Sequence, residues 1–306
     1  MAGNKSPIPW VGNKGCIYSV IDAFMPPHRV YLEACAGSAE VFFRKRKSGK
    51  EILNDYNGDL AHFFRVLQSS EKLALLIGRL YLSFSSEELF RANKQLLASI
   101  PNVLDDLNET VQVIDEFTWE DINRAAAFLE NQVFSFSSLG EVFAIAQKDM
   151  TARFKRLITA SCRLREAIIL HRDYKDAIAF AAERGTFILL DPPYLGTEDY
   201  YTKSKFDKNE HERLFRFMYE IHKTYEGECK FLITYNNDPL LQDMAKEYGL
   251  YTHVAERIHS MRQGINPGEM YEELLIGNYD LESQAVKNRK EAQVYDMQTS
   301  FFDEET

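Results

Sequence analysis

The sequence predicts an α/β fold built around a parallel β-sheet. Short runs of consecutive apolar residues recur along the 306-residue chain, and polar loops and helical stretches separate them. A strand that is apolar on both faces is typical of a parallel sheet covered by helices on both sides. Ligands of such sheets bind where the carboxyl ends of the strands meet, so we expect the functional site at that edge.

Six apolar runs are predicted strands. They lie at residues 30–32, 51–53, 167–170, 187–190, 230–234 and 273–276. Four of them are closely followed by an aspartate, namely Asp55, Asp173, Asp191 and Asp238. This repeated position predicts that several carboxylates lie close together at one edge of the sheet.

The segment between the second and third predicted strands differs from the rest of the chain. Its apolar residues have helical spacing, as at Leu73, Leu76, Ile77 and Leu80. We therefore predict an α/β domain formed by residues 1–67 and 160–279 and a mostly helical insertion at 68–159. Residues 280–306 are polar and acidic, which predicts a flexible tail.

Composition excludes several classes of protein. Hydrophobic residues make up 45% of the chain and charged residues 27%, which excludes wholesale disorder and a coiled coil. No apolar run reaches the roughly 18 residues of a membrane span, so we expect no membrane partner. The start has no apolar stretch of signal-peptide length, and the four cysteines form no C-x-x-C pair. We expect a reducing cytoplasm, with neither a disulfide framework nor a metal site.

The charge of the chain is unevenly distributed. A net charge of −10 argues against nucleic-acid binding, because phosphate contacts depend on Lys and Arg. However, residues 1–50 carry eight Lys and Arg against three Asp and Glu, and residues 150–175 carry seven against two. These two basic islands are either solvated helix faces or a phosphate-binding surface.

The strongest chemical signal is Asp191-Pro192-Pro193-Tyr194, directly after a predicted buried strand. Proline has no backbone donor, so this loop presents carbonyl oxygens beside the Asp191 carboxylate. A corner made only of acceptors is suited to hold an amino group, and Tyr194 offers a flat face for ring stacking. The alternative interpretation is an ordinary turn at the end of a strand.

Two further segments indicate a cofactor site. Small residues follow the first predicted strand up to Gly37, and small side chains let a ligand approach the backbone. Asp55 lies 18 residues beyond Gly37, near the spacing of an acidic ribose ligand in doubly wound folds. Near the start, Trp10 offers a ring and Lys14 a cation for a carboxylate. Each segment alone is also compatible with an ordinary turn.

Taken together, these motifs resemble the Dam-type family of DNA adenine-N6 methyltransferases. A W-x-G-x-K segment, a glycine-containing loop, an acidic strand end, an insertion and D-P-P-Y follow one another in the family's order. The resemblance covers roughly residues 5–67 and 165–279. It implies a Rossmann-like methyltransferase sheet with a helical target-recognition insertion, the cofactor S-adenosyl-L-methionine, and duplex DNA as substrate.

The resemblance also implies roles for individual residues. The cofactor-binding positions are Trp10, Lys14, Glu33, Gly37, Asp55, Asp173, Tyr174 and Asp191. The catalytic positions are Asp191, Pro192 and Tyr194, which would hold and stack an adenine extruded from the duplex. Two residues depart from the family pattern: Cys35 replaces the usual Phe, and Ala39 replaces a second Gly. Both keep the site small, so we expect altered cofactor packing rather than loss of binding.

We expect DNA contacts from three parts of the chain. The two basic islands would bind phosphates. Lysines after the catalytic loop would lie near the flipped base, and amides of the insertion would read base edges. The expected DNA-binding residues are Arg44, Lys45, Arg46, Asn131, Gln132, Arg153, Lys155, Arg156, Lys203 and Lys205. GATC is a hypothesis for the target sequence.

The tail carries one additional motif. Gln298, Phe301 and Phe302 resemble the short Q-x-S-x-F peptide by which bacterial replication proteins bind the sliding clamp. A flexible tail with an aromatic anchor is suited to binding in a groove and would tether an acidic protein to its template. An unstructured tail with aromatic residues by chance is the alternative.

Two other functions remain open from the sequence. A D-P-P-Y corner serves any planar amine or amide, so RNA or a protein amide is an alternative substrate. A methylase fold that has lost activity and only binds DNA or the clamp is the second alternative. Intact Asp191, Tyr194, Asp55 and Lys14 argue against loss of activity.

Overall fold

Five parallel strands form the part of the sheet whose carboxyl ends lead to Asp55, Asp173 and Asp191. The computed structural model describes residues 5–106, 118–138, 140–144, 148–196, 206–258 and 270–303. Strands β1 (Val30–Glu33), β2 (Lys50–Asn54), β3 (Ile168–Leu170), β4 (Thr186–Leu190) and β5 (Lys230–Asn236) are mutually parallel. With β6 (Tyr251–Ile258) and β7 (Met270–Gly277) they form one sheet in the order β3-β2-β1-β4-β5-β7-β6.

Two features of the sheet correct the sequence prediction. The last predicted strand lies within β7, which runs antiparallel to β5 rather than parallel to it. Strand β6 pairs antiparallel with β7 at the sheet edge and was not predicted. Its residues Tyr251 and Val254 are exposed, so it lacks the apolar run by which the other strands are recognised.

Eleven helices are assigned within the described residues. They are α1 (Tyr18–Phe24), α2 (Glu40–Arg44), α3 (Gly58–Gln68), α4 (Ser70–Tyr81), α5 (Glu87–Ser99), α6 (Trp119–Phe134), α7 (Phe154–Leu164), α8 (Tyr174–Ala181), α9 (Lys208–Thr224), α10 (Pro239–Glu247) and α11 (Leu281–Asp303). Polar side chains begin several of them, since Asn57, Asp173 and Asp238 accept hydrogen bonds from the first turns of α3, α8 and α10.

Helices cover both faces of the sheet. Alternate strand residues point to opposite faces, so Tyr31 and Phe187 pack on one side and Leu32 and Ile188 on the other. Helices α8, α9 and α10 pack on the Leu32 side. The residues predicted to form an insertion contribute α4, α5, α6 and α7, whose apolar residues share the core on the Tyr31 side. The insertion therefore extends that core.

The tail that was predicted to be flexible from residue 280 begins with a docked helix. The structure has helix α11 over Leu281–Asp303. Leu281 and Ala285 are buried, and the Asn288 amide donates hydrogen bonds to the carbonyl oxygens of Ala23 and Met25. The first two turns of α11 are therefore docked beside α1, which a flexible tail would not be.

Candidate active site

The carboxyl ends of the parallel strands surround a cavity of about 620 Å³. This volume lies within the range of small-molecule sites in proteins. The cavity brings together all eight residues predicted to bind the cofactor: Trp10, Lys14, Glu33, Gly37, Asp55, Asp173, Tyr174 and Asp191. They come from positions up to 181 residues apart in the sequence, and they meet because parallel strands end at the same edge.

Asp191 is held at the cavity wall by two donors. The Lys14 ammonium lies 2.6 Å from one carboxylate oxygen, and the Thr234 hydroxyl donates to the other at 2.8 Å. Lys14 is buried and also donates to the Gly12 carbonyl at 2.8 Å. The Asp191 side chain is 28% exposed, so it remains open to a ligand. Burial raises the pKa of Asp191 above its ordinary value, although Lys14 and Thr234 favour the charged form.

Tyr194 lies beside this acid. Its hydroxyl donates to the Glu273 carboxylate, and the Lys14 ammonium lies 4.9 Å from the centre of its ring. Its ring centre is 6.0 Å from that of Tyr235. Thr234 and Glu273 were not singled out from the sequence. Thr234 ends a predicted strand next to that of Asp191, a signal that could have identified it, whereas Glu273 reaches this edge only because β7 is antiparallel.

The loop after β1 is shaped for close backbone approach. Gly37 has a φ of +48°, and a Cβ added there would lie 2.9 Å from Nε1 of Trp10. Glycine is therefore required at this position. The Gly37 amide donates to Asp55 at 2.8 Å, and the Asn57 amide donates to the other Asp55 oxygen at 2.8 Å. Burial nevertheless raises the pKa of Asp55. Ala39 adopts a φ of +53° although it carries a Cβ.

Glu33 lies at the end of β1 and is 4% exposed. Its carboxylate accepts hydrogen bonds from the Tyr31 hydroxyl at 2.7 Å and the Phe42 amide at 2.6 Å. Both donors are neutral, and burial raises the pKa of Glu33 to about 7. It therefore changes charge near neutral pH at the floor of the cavity.

Asp173 and Tyr174 lie at the start of α8. The Asp173 carboxylate accepts from the Lys175 amide at 2.9 Å, and burial raises its pKa. The Tyr174 hydroxyl donates to Glu210 at 2.9 Å, and Lys175 forms an ion pair with the same carboxylate. Glu210 thus fixes Tyr174 from α9, a contact that sequence reasoning did not identify.

Asn54 joins the ends of three strands and was also missed. Its amide nitrogen donates to the carbonyl oxygens of Ala34 and Arg172 at 2.9 and 3.0 Å. Its amide oxygen accepts from the Arg172 backbone at 3.0 Å. Asn54 is 1% exposed, so these bonds are shielded from water and hold the loops of β1, β2 and β3 in register.

The first basic island is not placed as expected. Lys45 is buried, 2.6 Å from Glu51, and Arg44 forms an ion pair with Glu40 at 2.5 Å. Arg46 is exposed, but it lies between α2 and the start of β2, at the amino edge of the sheet. Lys45 therefore serves the core rather than DNA phosphates, and Arg46 lies away from the cavity. Arg44 instead pairs with Glu40, which lines the cavity.

The start of the second basic island, residues 153–156, lies on the side of the site. Gln68, which ends α3, donates to the carbonyl oxygens of Leu164 and Ala167 beyond the last turn of α7. The ends of α3 and α7 therefore meet at the amino edge, and both helices begin at the carboxyl edge. Lys155 and Arg156 are exposed at the start of α7, and Arg153 is half-buried there.

Asn131 and Gln132 are not exposed base readers in this structure. They are 7% and 9% exposed on α6, and they line the cavity together with Phe128. The Asn131 amide nitrogen donates to the Gly140 carbonyl at 3.1 Å. A base could reach them only from within the cavity, and their expected role in base readout stays a prediction. The expected DNA-binding residues Lys203 and Lys205 lie outside the described residues. The side chains of Gln298, Phe301 and Phe302 are likewise not described, although α11 extends over these positions.

Two negative findings concern only the described parts of the chain. Within them, no group of three or more His, Cys, Asp and Glu side chains is arranged to hold a metal ion. Their helices include none with the length and apolar character needed to cross a membrane.

Comparison with known proteins adds two findings. A family described as D12 class N6 adenine-specific DNA methyltransferase matches residues 10–261. The chain is also similar to a protein of Escherichia phage P1 named DNA N-6-adenine-methyltransferase. The two are 25% identical over 262 residues, which cover 80% of this chain and 31% of the phage protein. The chain thus spans about a third of the length of this curated relative.

Proposed function

Because the chain belongs to the D12 class of N6 adenine-specific DNA methyltransferases, we propose that it transfers a methyl group to N6 of a specific adenine in duplex DNA. The observation that carries this proposal is the Asp191 carboxylate, which Lys14 and Thr234 hold at the wall of the cavity beside Tyr194. An acceptor fixed in this way is ready to bind an amino group without rearrangement.

The cavity fits the methyl donor S-adenosyl-L-methionine. Gly37 leaves room for close approach to the backbone, and Asp55, on the adjoining strand end, is suited to accept from ribose hydroxyls. Asp173 and Tyr174 would contact the adenine of the donor, and Trp10 and Glu33 would complete the pocket. When bound, this cofactor supplies a methyl group activated by a sulfonium.

The remaining chemistry is positional. The Asp191 carboxylate and the Pro192 carbonyl would accept the two N6 hydrogens, which turns the nitrogen lone pair toward the activated carbon. Tyr194 would stack on the extruded base. Alignment of this kind supplies roughly 7–11 kcal/mol of a barrier. Lys14 favours the charged form of Asp191, in which both carboxylate oxygens are acceptors, against the effect of burial.

DNA would lie across the carboxyl edge of the sheet. Arg153, Lys155 and Arg156 at the start of α7 are suited to bind phosphates there. Lys203 and Lys205 are retained as proposed contacts near the flipped base. The helices between β2 and β3 form one wall of the cavity through Phe128, which supports a target-recognition role for residues 68–159.

The decisive experiment maps methylation in DNA from cells that produce the protein. We expect N6-methyladenine at one short sequence, whether GATC or another. The same cells carrying Asp191→Ala should show none, whereas Asp238→Ala should keep the full pattern. Asp238 is a matched control because it also follows a strand but caps α10, and it is not among the residues that line the cavity.

In vitro competition separates the proposal from its alternatives. Duplex DNA, RNA and peptide amides are offered together with labelled S-adenosyl-L-methionine, and label should enter DNA alone. Preferential labelling of RNA or peptide would overturn the choice of substrate. Absence of cofactor binding by calorimetry would instead support a binding protein that has lost activity.

Clamp binding is a separate proposal. The motif residues Gln298, Phe301 and Phe302 lie in α11, so this segment would bind as the end of a helix or after unwinding. A Phe301→Ala/Phe302→Ala double variant should bind the sliding clamp less tightly than the parent in surface plasmon resonance. Equal affinity would refute the proposal.

A further inference from the structure

Glu273 is a buried carboxylate that contacts the aromatic ring of the catalytic loop. It lies in β7 opposite Asn236 of β5 and is 1% exposed. Its carboxylate accepts a hydrogen bond from the Tyr194 hydroxyl. A buried carboxylate is costly unless it is paired or hydrogen-bonded, and the Tyr194 hydroxyl supplies such a hydrogen bond here.

The ring of Tyr194 is fixed from three directions. The Lys14 ammonium lies 4.9 Å from its centre, Tyr235 packs 6.0 Å away, and Glu273 holds its hydroxyl. Of these, only Glu273 holds the end of the ring farthest from the backbone. The Pro192 and Pro193 backbone before it is already stiff, and this bond further restricts the side chain.

The support behind the ring is itself rigid. The Tyr235 hydroxyl lies 2.8 Å from Nδ1 of His211, and both residues are buried. Glu273 belongs to a strand paired on both sides, with β5 and with β6. An acceptor on such a strand moves little, which makes it a good reference point for a side chain on a loop.

We propose that Glu273 is a positioning residue that sets the orientation of Tyr194 for stacking on the target adenine. The inference rests on the proposed function, since it assigns a task to a residue that touches the substrate base. Glu273 does not itself contact the cavity. It acts through the Tyr194 hydroxyl.

A second effect of Glu273 must be separated from this one. Its negative charge also raises the pKa of Asp191, after the larger effect of burial. Glu273→Gln removes the charge and keeps a carbonyl acceptor for Tyr194. Glu273→Leu removes both. Positioning therefore predicts that Gln restores what Leu loses, whereas a role of charge predicts that the two variants behave alike.

The experiment compares Glu273→Gln, Glu273→Leu, Tyr194→Phe and the Tyr194→Phe/Glu273→Leu double variant in steady-state DNA methylation. We expect kcat/KM for DNA to fall about 10- to 100-fold in Glu273→Leu and Tyr194→Phe, and no further in the double variant. Glu273→Gln should remain within about threefold of the parent. Calorimetry should show that all four variants bind S-adenosyl-L-methionine within about twofold of the affinity of the parent. The reason is that the contact between the Tyr194 hydroxyl and Glu273 lies behind the ring.

Glu272→Leu is the matched control, since Glu272 is the exposed neighbour that accepts from Asn237, and it should behave as the parent. Parental activity in Glu273→Leu or in Tyr194→Phe would overturn the inference. Equal losses of kcat/KM in Glu273→Gln and Glu273→Leu would also overturn it. So would a loss in the double variant equal to the product of the two single losses. If Glu273→Leu fails to fold, Tyr194→Phe and Glu273→Gln still decide the question. A parent protein without methyl transfer to DNA would count against the proposed function instead.

Discussion

Two buried lysine–carboxylate pairs in this molecule have the same contact distance and different surroundings. Lys14 and Asp191 are 2.6 Å apart at the cavity wall, and Lys45 and Glu51 are 2.6 Å apart inside the core. Glu51 is 3% exposed and Asp191 is 28% exposed. The length of an ion pair therefore does not distinguish a structural pair from a site that can accept a ligand.

The number of cations around each carboxylate does make that distinction. Arg163 binds Glu51 as a second cation, at 2.7 Å. Burial alone would raise the pKa of Glu51, but hydrogen bonds from Arg163 and Lys45 outweigh it and hold the pKa below its ordinary value. Asp191 has Lys14 and a neutral hydroxyl, and its pKa is raised. Glu33 accepts from two neutral donors, and its pKa rises to about 7.

Two bound cations hold the pKa of Glu51 low despite burial. One cation at Asp191 and none at Glu33 leave the pKa of each of these carboxylates raised. Glu51 is fully compensated and has no capacity left for a ligand. Asp191 is bound by one cation and one neutral hydroxyl and remains open to the cavity. A buried acid that the fold leaves partly uncompensated is thus a better indicator of a functional site than an ion pair.

The largest expected effect is on catalysis at the open pair. Asp191→Ala should lower kcat for DNA methylation by at least about 10³-fold, because the acceptor that aligns the amine is lost. Its melting temperature should remain within a few degrees of that of the parent. Tritium transfer from labelled cofactor and differential scanning calorimetry measure the two quantities. Near-parental kcat would show that Asp191 belongs with Glu51 as a structural acid.

At the closed pair the expected effect is on stability. Lys45→Met leaves Glu51 with one cation, and breaking a buried pair costs about 3–5 kcal/mol. The free energy of unfolding in urea should fall by that amount. Lys14→Met should cost clearly less, since the partly exposed Asp191 can be reached by water or protonated. Equal losses in the two variants would remove the distinction between the pairs.

The pH dependence of stability tests the same effect of neighbouring cations at Glu33. Its pKa in the folded state, about 7, lies above the ordinary value of 4.5, so the stability it contributes is present below pH 4.5 and lost as pH rises through 7. Glu33→Gln cannot ionise and should escape this loss. The stability of the variant relative to the parent should increase by about 3 kcal/mol between pH 4.5 and pH 8. Denaturation at both pH values measures it, and a difference that shrinks with pH would contradict the assigned direction.

The smallest expected effect concerns exposed cations. Lys155→Ala/Arg156→Ala should weaken DNA binding at every sequence and reduce the slope of log affinity against log salt by about two. Arg46→Ala, at the opposite edge of the sheet, should leave the slope unchanged. Fluorescence anisotropy at several salt concentrations measures both. A larger change for Arg46 would place the DNA on the other side of the molecule.

The sequence predicted the parallel strands and the gathering of acids at their carboxyl ends because both depend on local patterns. An apolar run followed by an acid locates a strand and its carboxyl end, so Asp55, Asp173 and Asp191 could be placed at one edge in advance. It did not predict β6, because an exposed edge strand has no apolar run. The polar composition of the tail conceals the contact of Leu281 and Asn288 with α1, so the docking of the first turns of α11 was not predicted.

Two residues expected to bind DNA, Lys45 and Asn131, are buried for a common physical reason. A lysine or an amide has the same identity on a surface and in a core, and only its partners decide what it can bind. Lys45 is taken by Glu51, and Asn131 is buried against Gly140. Each partner is less than ten residues away in sequence. The contact can nevertheless be predicted only when the conformation of the intervening turn is known.

The order of strands in the sheet has a consequence for the newly made protein. Strand β1 lies between β2 and β4, and more than 150 residues separate β1 from β4. At a synthesis rate of about 5–20 residues per second, one side of β1 stays unpaired for roughly 8–30 s while the ribosome makes the helices between them. During that interval the half-built sheet presents an open apolar edge, which makes the nascent chain a natural client for a chaperone.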